Sequence, residues 1–179
     1  MNFFDKIGDT IAPLARKLGE NRYLSVLRDA FMLSFPLTMF GSIVVVINNL
    51  PFFNDQTKAL LSNLFGNGQS ATMSIMTVFV TFGIGYYLCR SYDVEGIFGG
   101  AVSFASFLIL TPFMVTSAKG EEVTGVLSLD RLGAKGMFIG MIAAFLAAEI
   151  YTRITKKGWQ IKMPASVPPA VSKSFAALI

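Results

Sequence analysis

The sequence has no histidine and a single cysteine, and it is poor in charge. Asp, Glu, Lys and Arg make up 15% of the 179 residues, against about 25% in soluble globular domains. Without histidine the chain lacks the commonest general base and the commonest transition-metal ligand. Cys89 has no second cysteine with which to pair, so a disulfide framework and a cysteine-based metal site are excluded within the chain. We therefore expect no catalytic, metal-binding or cofactor-binding residue here.

The chain is rich in hydrophobic residues. They make up 53% of the chain and include 17 phenylalanines, which indicates an integral membrane protein. Four stretches reach the length of about 20 apolar residues that a helix needs to cross a bilayer; they are residues 30–50, 72–89, 97–115 and 136–154. Pro36 and Pro112 fall inside two of them, where neighbouring helices can satisfy the carbonyl groups that a proline leaves free. The sequence predicts an all-α membrane protein with a four-span bundle over residues 29–155.

The segments outside these spans are more polar. Residues 1–28 place apolar side chains on one helical face and most charged ones on the other, which predicts an amphipathic helix in the membrane interface, with an ordinary packed helix as the alternative. Residues 58–65 are too short to cross and are expected at the surface. Residues 156–179 predict a cytoplasmic loop and then the start of a truncated fifth helix, capped by Ser166.

Basic residues predict the orientation, because cytoplasmic loops carry an excess of Lys and Arg. With a cytoplasmic amino terminus, the inside collects Lys6, Arg16, Lys17, Arg22, Arg28, Arg90, Arg153, Lys156, Lys157 and Lys162. The outside then holds Lys58, Lys119, Arg131 and Lys135. A multi-pass protein with its amino terminus in the cytoplasm is therefore expected.

Glu149 is the one carboxylate well inside a predicted span. An acid in the membrane is a candidate for ion coupling or substrate binding. However, Arg153 follows four residues later on the same helical face, and glutamate before arginine is the favourable order at this spacing. The pattern predicts an interfacial ion pair.

Small residues recur every four positions in the fourth predicted span. They are Gly136, Gly140, Ala144 and Ala148, and such a stripe lets another helix approach closely in lipid. It predicts a helix-packing face, either between spans of one chain or between two copies. The chain shows neither a phosphate-binding loop nor a basic stripe with interleaved aromatic residues, so nucleic acid is not an expected partner.

Three segments resemble one protein family. They are "FFDKIGDTIAPLARKLGENRYLSVLRDAFMLSFPLTMFGSI", "SYDVEGIFGGAVSFASFLILTP" and "IKMPASVPPAVSKSFAALI". They are similar to the lactose/cellobiose family of phosphotransferase-system enzyme IIC proteins, the membrane subunits that move β-linked disaccharides. The resemblance runs over the whole chain and is most specific in residues 161–179 and 22–36.

This resemblance implies a bacterial inner-membrane permease component. It implies a homodimer whose amino-terminal spans form the dimer, with the sugar site in later spans, so no substrate-binding residue is transferred to this chain. Cytoplasmic IIB and IIA components would phosphorylate the arriving cellobiose, lactose or chitobiose in a phosphoenolpyruvate-dependent system. The chain is then the dimerisation scaffold without the sugar site. The alternatives are a truncated membrane interaction protein that self-associates or modulates a full-length transporter, and a small channel or exporter.

Overall fold

The computed structural model describes residues 13, 16, 17, 19–51, 54–117 and 120–159. Within these residues the helices are α1 (Arg22–Asn49), α2 (Asp55–Ser70), α3 (Met76–Ser91), α4 (Gly96–Ile109), α5 (Leu129–Leu132) and α6 (Met137–Lys156). The strands β1 (Met114–Thr116) and β2 (Glu122–Thr124) form an antiparallel hairpin. Most of the predicted interfacial helix, and all of the predicted fifth helix after Ser166, lie outside the described residues.

Three segments are long and apolar enough to cross a membrane. They are Arg22–Asn49, Asn63–Ser91 and Ala134–Lys156. The first is α1, the second joins the end of α2 to α3 through a 3-10 turn, and the third contains α6. The segment predicted at the surface, residues 58–65, belongs to α2, which starts at an Asn54 cap and packs against α1.

Helix α4 is shorter than the sequence indicated. Within the predicted span of residues 97–115, the helix ends at Ile109. The 14 residues of α4 extend about 21 Å, at 1.5 Å per residue. Pro112 supplies the reason, because it has no backbone N–H and it disfavours a helical conformation at Thr111. The chain instead enters the β1–β2 hairpin, which the sequence pattern did not predict.

Helix α3 lies at the centre of the bundle and contacts α1, α4 and α6. The core cluster consists of Val26, Ala30, Val80, Ile84, Leu88, Cys89, Ala144, Ala148 and Tyr151. Large apolar side chains point outward instead: Met32, Phe35, Phe138 and Leu146 each expose 60% or more of their surface. Exposed apolar area of this extent marks a membrane or protein contact surface.

Candidate functional site

Three helix ends meet at one end of the bundle around Glu149. Its Oε1 accepts hydrogen bonds from the Tyr23 hydroxyl at 2.7 Å and the Tyr92 hydroxyl at 2.8 Å. Its Oε2 accepts one from Arg153 Nε at 3.2 Å. We call these four residues the Glu149 cluster. They join the start of α1, the turn after α3 and the last turns of α6.

Local capping holds the two tyrosines in place. The Asn21 side chain accepts hydrogen bonds from the backbone N–H groups of Tyr23 and Leu24, which fixes the first turn of α1. At the end of α3, the N–H of Val94 donates to the carbonyl of Cys89, and that of Asp93 donates to the carbonyl of Arg90. With Asp93 at φ 59°, this is a Schellman motif. It turns the chain so that Tyr92 faces Glu149.

Two cations flank the Tyr92 ring. The Arg22 guanidinium carbon lies 3.9 Å from the ring centroid, and Lys156 Nζ lies 5.1 Å from it. Both distances suit cation–π attraction, which contributes about 0.5–1 kcal/mol at exposed sites. The ring therefore binds the ends of α1 and α6 together through both its hydroxyl and its face.

The sequence paired Glu149 with Arg153 and found none of the other partners. Arg153 exposes 75% of its side chain and Glu149 only 16%, and an exposed ion pair of this kind contributes about 0–1 kcal/mol. The two tyrosine hydroxyls both donate to the other oxygen of Glu149, Oε1. They lie 126 and 57 residues away in sequence, so no local pattern could have found them.

The small-residue stripe faces the interior of the chain. A Cβ added at Gly140 would lie 2.6 Å from Thr77 Cγ2 and 2.8 Å from Thr81 Cγ2, and one at Gly136 would meet the carbonyl of Arg131. Ala144 and Ala148 are fully buried in the core cluster. All four residues thus pack within one chain, against α3, α4 and the segment before α6.

Glycines also bring α3 and α4 together. A Cβ on Gly85 would run into the carbonyl oxygen of Gly99 and the Ser103 hydroxyl, and one on Gly99 would run into Cys89 Sγ. Apolar burial does not drive helices together in lipid, so close backbone approach supplies the packing energy instead.

Buried polar side chains join α3 and α4 to α6 and to the segment before it. Thr77 Oγ1 donates to the carbonyl of Gly133 at 2.7 Å, and Ser103 Oγ donates to the carbonyl of Ala144 at 3.1 Å. Cys89 Sγ lies 3.4 Å from Thr152 Oγ1 and is fully buried. Because a thiol must be accessible and deprotonated to act as a nucleophile, this position suits packing. In the described part of the chain, no group of three His, Cys, Asp or Glu residues could hold a metal ion.

A sequence model described as "Phosphotransferase system, EIIC" matches residues 28–179. The chain belongs to this family. It is 60% identical over 98% of its length to the oligo-beta-mannoside-specific EIIC component of Bacillus subtilis (strain 168), and 36% identical over 99% to the cellobiose-specific EIIC component of Geobacillus stearothermophilus. The crystal structure of the transporter ChbC, the IIC component from the N,N'-diacetylchitobiose-specific phosphotransferase system, superposes with a TM-score of 0.84 at 35% identity.

These EIIC relatives are much longer than the chain. It covers 41% and 42% of the two curated relatives, and 96% of it matches 42% of ChbC. The comparisons confirm the predicted family and the predicted helical membrane protein. The number of membrane spans and the orientation stay predictions. So does the division of the chain into an interfacial helix, a four-span bundle and a cytoplasmic segment.

Proposed function

We propose that this chain is the amino-terminal part of an EIIC component that translocates a β-linked di- or oligosaccharide, with phosphorylation by cytoplasmic IIB and IIA components. The observation that carries the proposal is the 60% identity, over 98% of the chain, to an oligo-beta-mannoside-specific EIIC component. The cellobiose-specific relative is more distant, at 36%. A β-mannoside is therefore the first substrate to test, and cellobiose and chitobiose are the comparison sugars.

The proposed place of the chain is in the bacterial cell membrane with its amino terminus in the cytoplasm. The charge distribution supports this orientation. Arg22, Arg90, Arg153 and Lys156 all lie at the end of the bundle that holds the Glu149 cluster, whereas Arg131 and Lys135 adjoin the opposite end of α6. A cysteine placed in the 120–125 loop should react with an impermeant maleimide added to whole cells. Labelling only after the cells are opened would reverse the orientation.

The proposed role is that of a rigid, dimer-forming scaffold. The contacts of Gly85, Gly99 and Gly140 leave helices α3, α4 and α6 little room to slide past one another. Because the small-residue stripe is used within the chain, a second copy has to contact another face. We assign that contact to α1, where a shallow apolar groove of about 490 Å³ is lined by Phe35, Thr38, Met39, Ser42, Ile43, Val46 and Ile47.

Cross-linking tests the dimer face. Met39→Cys on the α1 groove should form disulfide-linked dimers in oxidised membranes, while Ile142→Cys on the exposed side of α6 serves as the matched control. Cross-linking at Ile142 in preference to Met39 would move the interface to α6. If neither position cross-linked and the purified protein had the mass of a monomer, the proposed dimer would be contradicted.

Transport is tested with the complete EIIC protein. A strain that lacks its own β-glycoside permeases is given either the whole gene or residues 1–179 alone, together with the IIB and IIA components. Phosphoenolpyruvate-dependent accumulation of a phosphorylated β-mannoside is expected with the whole gene only. Dimer formation by residues 1–179 without uptake would assign the shorter chain a purely associative role, and uptake of none of the three sugars by the whole protein would refute the proposal.

A further inference from the structure

A polar pocket lies between the start of α1 and the end of α3, beside the Glu149 cluster. Its volume is about 450 Å³, and its lining consists of Gly19, Glu20, Arg22, Ser25, Val26, Asp29, Tyr87, Arg90 and Ser91. Pockets of about 300–1,000 Å³ are typical of small-ligand sites. Two arginines from two different helices reach this one.

Within the described residues, the two arginines of the pocket form no ion pair with its two carboxylates. The carboxylates in its lining already have partners, since Glu20 lies 2.9 Å from Arg16 and Asp29 lies 2.8 Å from Arg28. Across the described ranges, neither Arg22 nor Arg90 comes within ion-pair distance of a carboxylate. An anion that entered would therefore meet two guanidinium groups that have no carboxylate partner among the described residues.

Both arginines keep hydrogen-bond donors for a ligand. Arg22 stacks its face on Tyr92 at 3.9 Å, which leaves the N–H groups at the edge of the plane available. Arg90 uses Nη1 for the Tyr86 hydroxyl at 3.3 Å. Planar N–H donors of this kind match the oxygens of a phosphate.

The position of the pocket favours an amphiphile over a free ion. Arg22 begins one candidate span and Ser91 ends another, so the pocket lies at the depth of lipid headgroups. Further along α1, Leu33 lies beside Gly83 of α3 and is still 41% exposed. The phosphate of a lipid can therefore meet the two arginines while its acyl chains lie along exposed apolar side chains of α1, such as Leu24 and Leu33.

We propose that this pocket binds the phosphate of an anionic phospholipid through Arg22 and Arg90. The bound lipid would bridge α1 and α3 at the membrane surface. The proposal does not depend on the proposed sugar transport, because it concerns only the binding of a phospholipid.

The test compares the purified full-length protein with variants in neutral detergent. Each is titrated with phosphatidylglycerol, phosphatidylcholine or inorganic phosphate, with native mass spectrometry and the shift in unfolding temperature as readouts. Basic residues near a membrane surface attract anionic lipids, so the double variant Arg22→Gln/Arg90→Gln should lose at least about tenfold in apparent affinity for phosphatidylglycerol. Arg90→Gln alone leaves the Arg22–Tyr92 contact intact and should lose part of this affinity. Arg131→Gln, away from the pocket, is the matched control and should bind as the unmodified protein does.

Three outcomes would overturn the proposal. The first is equal binding of phosphatidylglycerol by all variants. The second is a rise in unfolding temperature with inorganic phosphate as large as that with phosphatidylglycerol, which would assign the pocket to a free anion. The third is unchanged lipid binding beside weaker IIB-dependent phosphorylation of the sugar, which would assign the two arginines to a protein partner.

Discussion

Gly140→Ala tests whether the small-residue stripe packs inside one chain. The added methyl group would lie 2.6 Å and 2.8 Å from the γ-methyl groups of Thr77 and Thr81. Both threonines are fully buried. Thr77 also cannot rotate away without losing its 2.7 Å hydrogen bond to the carbonyl of Gly133.

Two opposing contributions determine the expected change in the free energy of unfolding. Alanine is favoured over glycine in a helix by about 1 kcal/mol, whereas overpacking a well-filled interior costs about 1–3 kcal/mol. Both contacts fall below the 3.0 Å at which a neighbour has to move, and Thr77 is held, so the upper part of that range applies. We expect a net destabilisation of about 1–2 kcal/mol and a larger one for Gly140→Leu. About 2–4 °C of unfolding temperature corresponds to each kcal/mol in a protein of this size.

The single cysteine supplies the assay. Cys89 is fully buried, so a maleimide dye reacts with it only when the bundle opens on heating. Gly19→Ala is the matched control, because a Cβ at Gly19 would have no neighbour within 4 Å, and it should leave the unfolding temperature unchanged or raise it. If Gly140→Ala raised the unfolding temperature as much as Gly19→Ala, the described packing would be refuted. A loss of dimer cross-linking at unchanged unfolding temperature would instead place the stripe between copies.

Three further substitutions probe single interactions with the same unfolding assay. Tyr92→Phe removes a 2.8 Å hydrogen bond to Glu149 but keeps the ring, and should lower the free energy of unfolding by about 1.5–3 kcal/mol. The control is Tyr86→Phe, because the Tyr86 hydroxyl accepts a 3.3 Å bond from the exposed Arg90, and its loss should be smaller. Equal losses in the two variants would contradict the role of the Glu149 cluster. Thr77→Val leaves the carbonyl of Gly133 without its 2.7 Å donor and should cost about 1–3 kcal/mol. Thr124→Val, on the exposed strand β2, should be nearly neutral. Asp93→Gly relieves a φ of 59° and should raise stability by up to about 1 kcal/mol. A lower unfolding temperature for this variant would contradict the prediction.

The sequence predicted what depends on local patterns. Hydropathy over about 20 residues located the long apolar segments, and spacing by four residues placed Glu149 near Arg153. The same spacing indicated that Gly140 and Ala144 face a close neighbour, although it left open whether that neighbour is α3 or a second copy. Identifying α3 requires the topology of the bundle, which no single helix contains.

The features missed by the sequence depend on distant partners or on competing local preferences. Tyr23 and Tyr92 meet Glu149 because three helix ends converge, and their separations in sequence give no periodic signal. The end of α4 at Ile109 follows from Pro112. A window of apolar residues continues past that proline, so hydropathy alone extended the helix.

The contacts that hold the bundle together differ with their position along the helices. Within the span segments, glycine approaches and buried hydroxyls join the helices, as at Gly85 and Ser103, because apolar burial gives no drive for association in lipid. At the helix ends, charged and aromatic groups around Glu149 join the helices instead, because water can solvate the outer charges there.

A scaffold built in this way should tolerate the loss of one contact at a helix end better than a bulkier side chain at mid-span. In the complete transporter, mid-span substitutions should therefore reduce sugar uptake in proportion to the amount of folded protein, with an unchanged KM. A mid-span variant that folded fully and altered KM would show that these helices take part in sugar binding and would contradict the scaffold role.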